Sequence, residues 1–178
     1  MQPVEDFSLF DGFSCLSVEE KDRDLEEFIQ TDALRHFRHR MAVTYSLSLI
    51  KEPHPLGFAT LQNDTIAILD KKFDLPEMLG KYAYKSYPAA KIGRLGISIA
   101  FQHKRLGSIL LYMIKQLLTT DNRTGCRFLT VDAWRNKKSK VNVCGFYEKN
   151  AFKRIPYIKS TSGYIPMYFD LATFQRAD

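Results

Sequence analysis

The chain has 178 residues, of which 45% are hydrophobic and 13% aromatic, enough for one domain with a substantial core. No apolar run approaches the ~20 residues that span a bilayer, so we expect no membrane-spanning helix. The net charge of +6 is uneven, because residues 1–90 carry 10 basic and 15 acidic side chains and residues 91–178 carry 16 and 5. The second half, at +11, either meets an anionic partner (a nucleotide-bearing cofactor, a nucleic acid or a membrane surface) or is an ordinary solvated basic surface.

The cysteines and the N-terminus favour a cytoplasmic protein with reduced thiols. Cys15, Cys126 and Cys144 are odd in number and widely spaced, which fits neither a disulfide framework nor a zinc site. His36 and His39 lie three positions apart but lack a third ligand at matching spacing, so we expect no metal site. The opening MQPVEDFSLF has acidic residues and no basic stretch, which predicts no secretory signal.

The first elements in chain order are helical. Ser17 and Glu20 form a capping-box pattern, which is typical of a helix N-terminus. Apolar residues then recur at helical spacing from Leu25 to Phe37, with a break expected near Thr31. The sequence therefore predicts one or two helices before the first strand.

Two strands and a loop follow. Val43–Ile50 alternates with period two and predicts a strand. The stretch LGFATLQNDTIAIL predicts another, with a turn at Asn63–Asp64 and a short continuation. Asp70–Ala90 has no clear period and contains two prolines and a glycine, which indicates a long loop.

The second half alternates strands and helices. AKIGRLGISIA predicts a strand, and the apolar positions of Leu106–Leu118 predict a strong amphipathic helix. CRFLTVDAW predicts a strand, VNVCGFYEKNAF a short helix, and Phe152–Tyr157 and Tyr164–Leu171 two closing strands. This order predicts an α/β (α+β) fold with helices packed on a sheet.

The junction AFQHKRLGS has the composition of an anion site. The backbone N–H groups of His103–Ser108 precede or begin a helix and have no intrahelical acceptor, so a diphosphate could accept several of them. Lys104 and Arg105 add positive charge, and Gly107 removes a Cβ that would obstruct close approach. The alternative is an ordinary basic turn before a helix.

Tyr147 stands on the short helix that follows FLTVDAW. A phenol has a pKa of about 10, so at neutral pH it could protonate a departing thiolate whose thiol has a pKa near 8.5. The alternative is a half-buried aromatic with its hydroxyl at the surface.

Together, the order RLGISIAFQHKRLGS, helix, FLTVDAW and FYEKNAF resembles the GCN5-related N-acetyltransferase (GNAT) superfamily. The resemblance implies a single N-acetyltransferase domain over residues 1–178, with acetyl-CoA as cosubstrate and direct transfer of acetyl to an amine. It also implies a central mixed, mostly antiparallel sheet of about six or seven strands. The central strands would be splayed, and about four helices would flank the sheet.

The resemblance assigns roles to residues. Tyr147 would be the general acid, and the diphosphate would lie on a Q/R-x-x-G-x-G/A turn, in which Arg105 replaces the first glycine and Gly107 is the second. The implied cofactor-binding residues are Leu95, Gly96, Ile97, Gln102, His103, Lys104, Arg105, Leu106, Gly107 and Ser108.

Within the superfamily the chain resembles the branch that contains toxin acetyltransferases of toxin–antitoxin pairs. The shared features are LxxFxxxDAL, VTYxL, a proline before KIGRL, and VDA. This branch implies aminoacyl-tRNA as acceptor and an antitoxin partner; a small or protein amine is the broader alternative. A non-catalytic module, either an acyl-CoA-binding sensor or a basic RNA-binding domain, remains a third hypothesis. The basic segment Trp134–Cys144 suits a CoA phosphate or RNA, or is an ordinary solvated loop. We expect no membrane partner; a homodimer is the commonest oligomer for such a protein.

Overall fold

The structure, a computed structural model, describes residues 3–16, 24–50, 54–67, 84–120, 125–135, 143–155 and 163–175. The capping-box pair Ser17 and Glu20 lies outside these residues. So do most of the predicted loop after position 70 and most of the basic segment between Trp134 and Cys144.

Six strands form one sheet in the order β1-β2-β3-β4-β6-β5. Only β3 and β4 pair in parallel; the other neighbours are antiparallel. The structure thus confirms the predicted mixed, mostly antiparallel sheet. The strands are β1 (Val43–Leu47), β2 (Gly57–Ala67), β3 (Ser86–Ile97), β4 (Phe128–Trp134), β5 (Lys153–Arg154) and β6 (Tyr164–Asp170).

The helices flank this sheet. Helix α1 (Leu25–Glu27) continues through a π-helical turn (Phe28–Asp32) into α2 (Ala33–Arg38), so the break expected near Thr31 is a π-helical insertion. Helix α3 spans Leu106–Thr120, and α4 spans Cys144–Lys149.

Strands β3 and β4 pair only over a short stretch and then separate. Their pairs run from Ala89↔Phe128 to Ile92↔Val131. Beyond that point β3 continues along β2, and β4 continues along β6. The gap between Gly93–Ile97 and Asp132–Trp134 is called the wedge below. It confirms the predicted splaying of the central strands.

Alternation along β2 divides the apolar core between the two faces of the sheet. Ala59 and Leu61 join the cluster that contains the fully buried Leu110 and Ile114 of α3. Phe58, which directly precedes Ala59, points to the other face. There it belongs to the cluster formed by the N-terminal segment and the first helices.

Two of the predicted boundaries are wrong. Asn63–Asp64 is not a turn, because both residues lie within β2 and pair with β3. Their polar side chains do not end the strand; Asp64 Oδ2 instead accepts a hydrogen bond from Thr130 Oγ1 at 2.5 Å. The predicted loop is also too long, since Ser86–Ala90 is part of β3, where pairing with β2 accommodates Pro88.

Shorter deviations occur at strand ends. The predicted strand Val43–Ile50 ends at Leu47, and the predicted strand Phe152–Tyr157 is reduced to Lys153–Arg154 in the described part of the chain. Among the helices of the described residues, none is both long enough and apolar enough to cross a membrane.

Candidate active site

The turn before α3 has an unusual backbone. His103 and Arg105 both adopt φ of 62°, in the left-handed region that non-glycine residues rarely occupy. Alternation of left-handed residues with their neighbours curves the chain so that successive N–H groups converge, which is the geometry of an anion-binding nest.

The amides of this turn are largely unengaged. Within the described residues, the N–H groups of His103 to Gly107 donate to no acceptor. The N–H of Ser108 does donate, to the Arg105 carbonyl at 3.0 Å, because the first turn of α3 closes there. Among the described residues, the amides of His103 to Gly107 are thus without an acceptor, as expected from the sequence, and the Ser108 amide is not.

Side-chain contacts fix the turn against the rest of the protein. Gln102 Nε2 donates to the carbonyl oxygens of Cys15 at 2.8 Å and Ile97 at 3.2 Å. Lys104 Nζ lies over the Phe101 ring, 5.0 Å from its centroid. The Gln102 side chain thus anchors the turn, and the Lys104 side chain lies over the neighbouring Phe101 ring.

Gly107 permits a close contact between helices. A Cβ on this residue would lie 3.1 Å from two atoms of the Phe146 ring, which belongs to α4. The predicted role of this glycine in the close approach of a phosphate stays a prediction. The close contact present in the structure is with an aromatic ring, so Gly107 also lets α3 and α4 approach each other.

A cleft of about 530 Å³ runs along the turn and is called the turn cleft. All but one of the predicted cofactor-binding residues line it; the exception is Lys104, whose side chain covers Phe101. Its lining residues include Leu95, Gly96, Ile97, Gln102, His103, Arg105, Leu106, Gly107, Ser108 and Tyr147.

The N-terminal wall of the turn cleft is tied down by Glu26. Its Oε1 accepts hydrogen bonds from Cys15 N at 2.6 Å, Leu16 N at 2.9 Å and Ser14 Oγ at 2.9 Å. Burial would raise the pKa of Glu26, but these three hydrogen bonds outweigh burial and hold the pKa below its usual value. Because Cys15 lines the cleft, Glu26 helps to position that wall.

A second cleft of about 340 Å³ is bordered by β3 and β4 and is called the strand cleft. Two ion pairs mark it. Arg94 Nη2 lies 2.5 Å from Asp24 Oδ2, and Lys91 Nζ lies 2.5 Å from Asp132 Oδ2. The aromatic side chains of Trp134 and Tyr164 also line this cleft.

Tyr147 lines both clefts. Its side chain is buried, with 6% exposed, and its ring packs edge-on against Phe146 at 5.0 Å and Phe152 at 5.3 Å between centroids. The two clefts also share Leu95, on the β3 side of the wedge. Ring contacts with two neighbours therefore fix the Tyr147 side chain beside both clefts.

A buried lysine secures the C-terminal end of the helix that carries Tyr147. Lys115 Nζ donates to the Asn150 carbonyl at 2.7 Å, and Asn150 Nδ2 donates to the Phe146 carbonyl at 2.8 Å. The ammonium also lies 3.7 Å from the centroid of Phe169. Burial lowers the pKa of Lys115 from 10.5 to about 8.

Several solved structures resemble the chain over most of its length. AtaT complexed with acetyl-methionyl-tRNAfMet gives a TM-score of 0.69 at 22% identity, covering 92% of this chain and 88% of that one. A structure described as a bacterial toxin gives 0.73 at 12%, covering 93% and 84%. A tyrosine-to-phenylalanine AtaT mutant, bound to acetyl-CoA and the C-terminus of the antitoxin AtaR, gives 0.68 at 19%, covering 97% and 92%.

The chain has the GNAT fold. No protein-family model matches it, and neither does any curated protein. In this GNAT fold the predicted turn and Tyr147, separated in sequence, line one cleft beside the wedge.

Sequence reasoning missed the charged lining of the strand cleft. Asp24 and Arg94 are 70 positions apart, and Lys91 and Asp132 are 41 apart. No local pattern links such pairs, because each forms only when the sheet and the first helix assemble. The residue types alone gave no signal that could have found them.

Proposed function

We propose that residues 1–178 form a single acetyl-CoA-dependent N-acetyltransferase domain that transfers acetyl directly to an amine. The observation that carries the proposal is the position of Tyr147, which is buried and lines both clefts next to the wedge. The turn cleft would hold the cofactor and the strand cleft the acceptor. The Tyr147 phenol would protonate the sulfur of the carbon–sulfur bond that breaks.

The turn cleft suits acetyl-CoA. The unengaged amides of His103 to Gly107 can donate hydrogen bonds to a diphosphate, and Arg105 adds a cation at the cleft wall. The pantetheine arm would lie along Leu95–Ile97, where β3 has left β4 and its backbone is not paired with it. Acetyl-CoA, when bound, supplies an activated thioester.

The carbon–sulfur bond that breaks needs an acid. The acceptor nitrogen attacks the acetyl carbonyl carbon, the carbon–sulfur bond breaks, and the sulfur leaves as a thiolate. Tyr147 donates its hydroxyl proton to that thiolate, and the nitrogen gives up its surplus proton, which solvent carries back to the Tyr147 oxygen. No acyl-enzyme forms, because the amine attacks the thioester directly and no serine or cysteine nucleophile takes part.

As acceptor we propose the amino group of an aminoacyl-tRNA. Two observations support this choice: the net charge of +11 on residues 91–178, and the likeness to AtaT, whose structure contains acetyl-methionyl-tRNAfMet. An antitoxin partner follows from the same likeness, because another AtaT structure contains the C-terminus of AtaR. A small or protein amine is the broader alternative within the same reaction class.

Transfer of labelled acetyl tests the proposal. Purified protein is incubated with labelled acetyl-CoA and cell extract, and the label is then sorted into RNA, protein and small molecules. We expect label in RNA that is released by mild base together with the amino acid. Label in protein or small molecules alone would contradict the tRNA acceptor, and no transfer at all would contradict the enzyme.

Expression in growing cells is an independent test of the toxin hypothesis. We expect growth arrest on induction of the parent chain, and normal growth for Tyr147→Phe at equal protein level. Unimpaired growth with the active parent would favour a small or protein amine as acceptor.

A non-catalytic acyl-CoA-binding module is the second candidate. It is favoured by Arg105, which places a strained non-glycine residue in the turn. Calorimetry distinguishes the two: equal affinities for CoA and acetyl-CoA, together with no transfer to any amine in a mixed screen, would support the module.

A further inference from the structure

Proton bookkeeping sets a requirement that Tyr147 alone does not meet. When the acceptor nitrogen bonds to the acetyl carbon it carries one proton too many, while the departing sulfur needs one. Because the attacking nitrogen and the departing sulfur lie on different sides of the acetyl carbon, the reaction needs a base near the acceptor as well as an acid near the sulfur.

Asp132 meets this requirement by its place in the sheet. It follows Val131, which is the last β4 residue paired with β3, and so lies where the wedge opens. Its carboxylate lines the strand cleft, where Tyr147 is also found, and does not line the turn cleft. The side chain is 41% exposed, which leaves it accessible to an acceptor.

The hydrogen bonding of Asp132 leaves one oxygen available. Lys91 Nζ occupies Oδ2 at 2.5 Å. Within the described residues, Oδ1 has no hydrogen-bond partner. Lys91 therefore fixes the carboxylate on the strand while Oδ1 is left for a donor in the cleft.

We propose that Asp132 is the base on the acceptor side of the reaction, an inference that rests on the proposed function. Oδ1 accepts a hydrogen bond from the acceptor's amine, which directs the nitrogen lone pair towards the thioester. As the carbon–nitrogen bond forms and the carbon–sulfur bond breaks, Oδ1 takes the proton from nitrogen and Tyr147 gives its proton to sulfur. Water then restores both side chains to their starting protonation states.

Asp24 is the rival carboxylate in the same cleft. It precedes the first helix and is held by Arg94. Asp132 is preferred because it is on a central strand at the opening of the wedge, on the same strand as the cleft residues Val131 and Trp134. The experiment below includes both.

The experiment compares Asp132→Asn, Asp24→Asn and the control Asp64→Asn. Asp64 is on β2, accepts a hydrogen bond from Thr130 as a carboxamide oxygen also could, and lines neither cleft. All three variants lose one negative charge and keep an oxygen acceptor. Calorimetric binding of acetyl-CoA verifies that each is folded, and Asp132→Ser replaces any Asp132→Asn sample that fails this check.

The first readout is binding, which does not depend on turnover. The probes are methionyl-adenosine with an amide in place of the ester, and its N-acetylated form, both titrated in the presence of CoA. For Asp132→Asn we expect at least about tenfold weaker binding of the amine probe and unchanged binding of the acetylated probe, since only the amine probe offers a free amino group. Asp64→Asn should bind both as the parent does.

The second readout is acetyl transfer. For Asp132→Asn we expect kcat to fall by roughly 10²–10⁴-fold, the range for loss of a general base, with the deficit shrinking at high pH as hydroxide replaces the side chain. The inference is overturned if Asp132→Asn binds the amine probe like the parent, if both probes weaken equally, or if only Asp24→Asn shows the loss. A parent protein that binds the amine probe but transfers no acetyl would contradict the proposed function. In that case the binding readout alone would still decide whether Asp132 contacts the amine.

Discussion

At the start of α3, Arg105 has a backbone conformation that would suit glycine better. Its φ of 62° costs a non-glycine residue on the order of 1 kcal/mol. The same residue adds the only guanidinium among the cleft residues of the turn 102–108. Arg105 therefore lowers the stability of the turn and adds a positive charge beside the unengaged amides.

A pair of variants separates these two effects. Arg105→Gly and Arg105→Ala both remove the charge, but only the glycine relieves the strain. We expect Arg105→Gly to exceed Arg105→Ala in free energy of unfolding by about 1 kcal/mol, measured by urea denaturation. Both should bind acetyl-CoA more weakly than the parent. Equal stability of the two variants would contradict the left-handed conformation.

Removal of the hydroxyl of Tyr147 tests the acid. Tyr147→Phe keeps the ring contacts with Phe146 and Phe152 and deletes the donor. We expect kcat to fall by roughly 10²–10⁴-fold, with little change in acetyl-CoA affinity measured by calorimetry. An unaffected kcat would remove Tyr147 from the mechanism.

Among the elements, α3 and α4 are joined by contacts that orient Tyr147. Gly107 lets the start of α3 approach Phe146, and Lys115 farther along α3 holds the Asn150 carbonyl just beyond α4. Lys115 is 7% exposed and its ammonium faces two aromatic rings, so its desolvation is only partly offset. The orientation of the short helix α4 thus depends on a buried cation.

The lowered pKa of Lys115 predicts a pH dependence of stability. The folded pKa is about 8 and the unfolded pKa is 10.5, so between these values the unfolded chain binds more protons and stability rises with pH. Relative to Lys115→Met, the parent should gain up to about 1.4 kcal/mol per pH unit from pH 8 to pH 10 in urea denaturation. Because the cysteines titrate in both proteins, the difference isolates Lys115. A pH-independent difference would contradict the lowered pKa.

At the scale of the whole molecule, the positively charged half of the chain forms both sides of the wedge and the helices beside it. The basic half of the chain begins at Lys91, shortly before β3 leaves β4, and it contains the turn, α3 and α4. An anionic substrate delivered to the wedge would therefore meet the positive half of the protein.

This distribution predicts salt-sensitive binding of tRNA. Each phosphate that the protein neutralises releases counterions, so we expect affinity for tRNA to fall by more than about tenfold between 50 and 200 mM salt, as expected for about three or more phosphate contacts. Filter binding or fluorescence anisotropy measures it, and the methionyl-adenosine amide probe, which carries no phosphate, is a control whose binding should vary little. A change below about twofold would count against a tRNA acceptor.

Patterns that depend on neighbouring residues were readable in the sequence. The apolar spacing of α3, the composition of β4, and the basic junction before α3 each reflect local preferences of the backbone, and the splayed mixed sheet followed from their order and the family resemblance. Local preference misplaced the ends of elements. Asn63–Asp64 reads as a turn in isolation, but pairing with β3 holds both residues in a strand.

Only the tertiary structure decided which distant residues share a site. The contact of Gly107 with Phe146 and the pairing of Lys91 with Asp132 arise from packing between elements, and the left-handed conformation of Arg105 became known only from the structure. Burial, and with it the lowered pKa of Lys115, is likewise a property of the assembled fold. The sequence determined the elements because their forces act between neighbours, and the fold determined the site because contact and desolvation act between residues far apart in the chain.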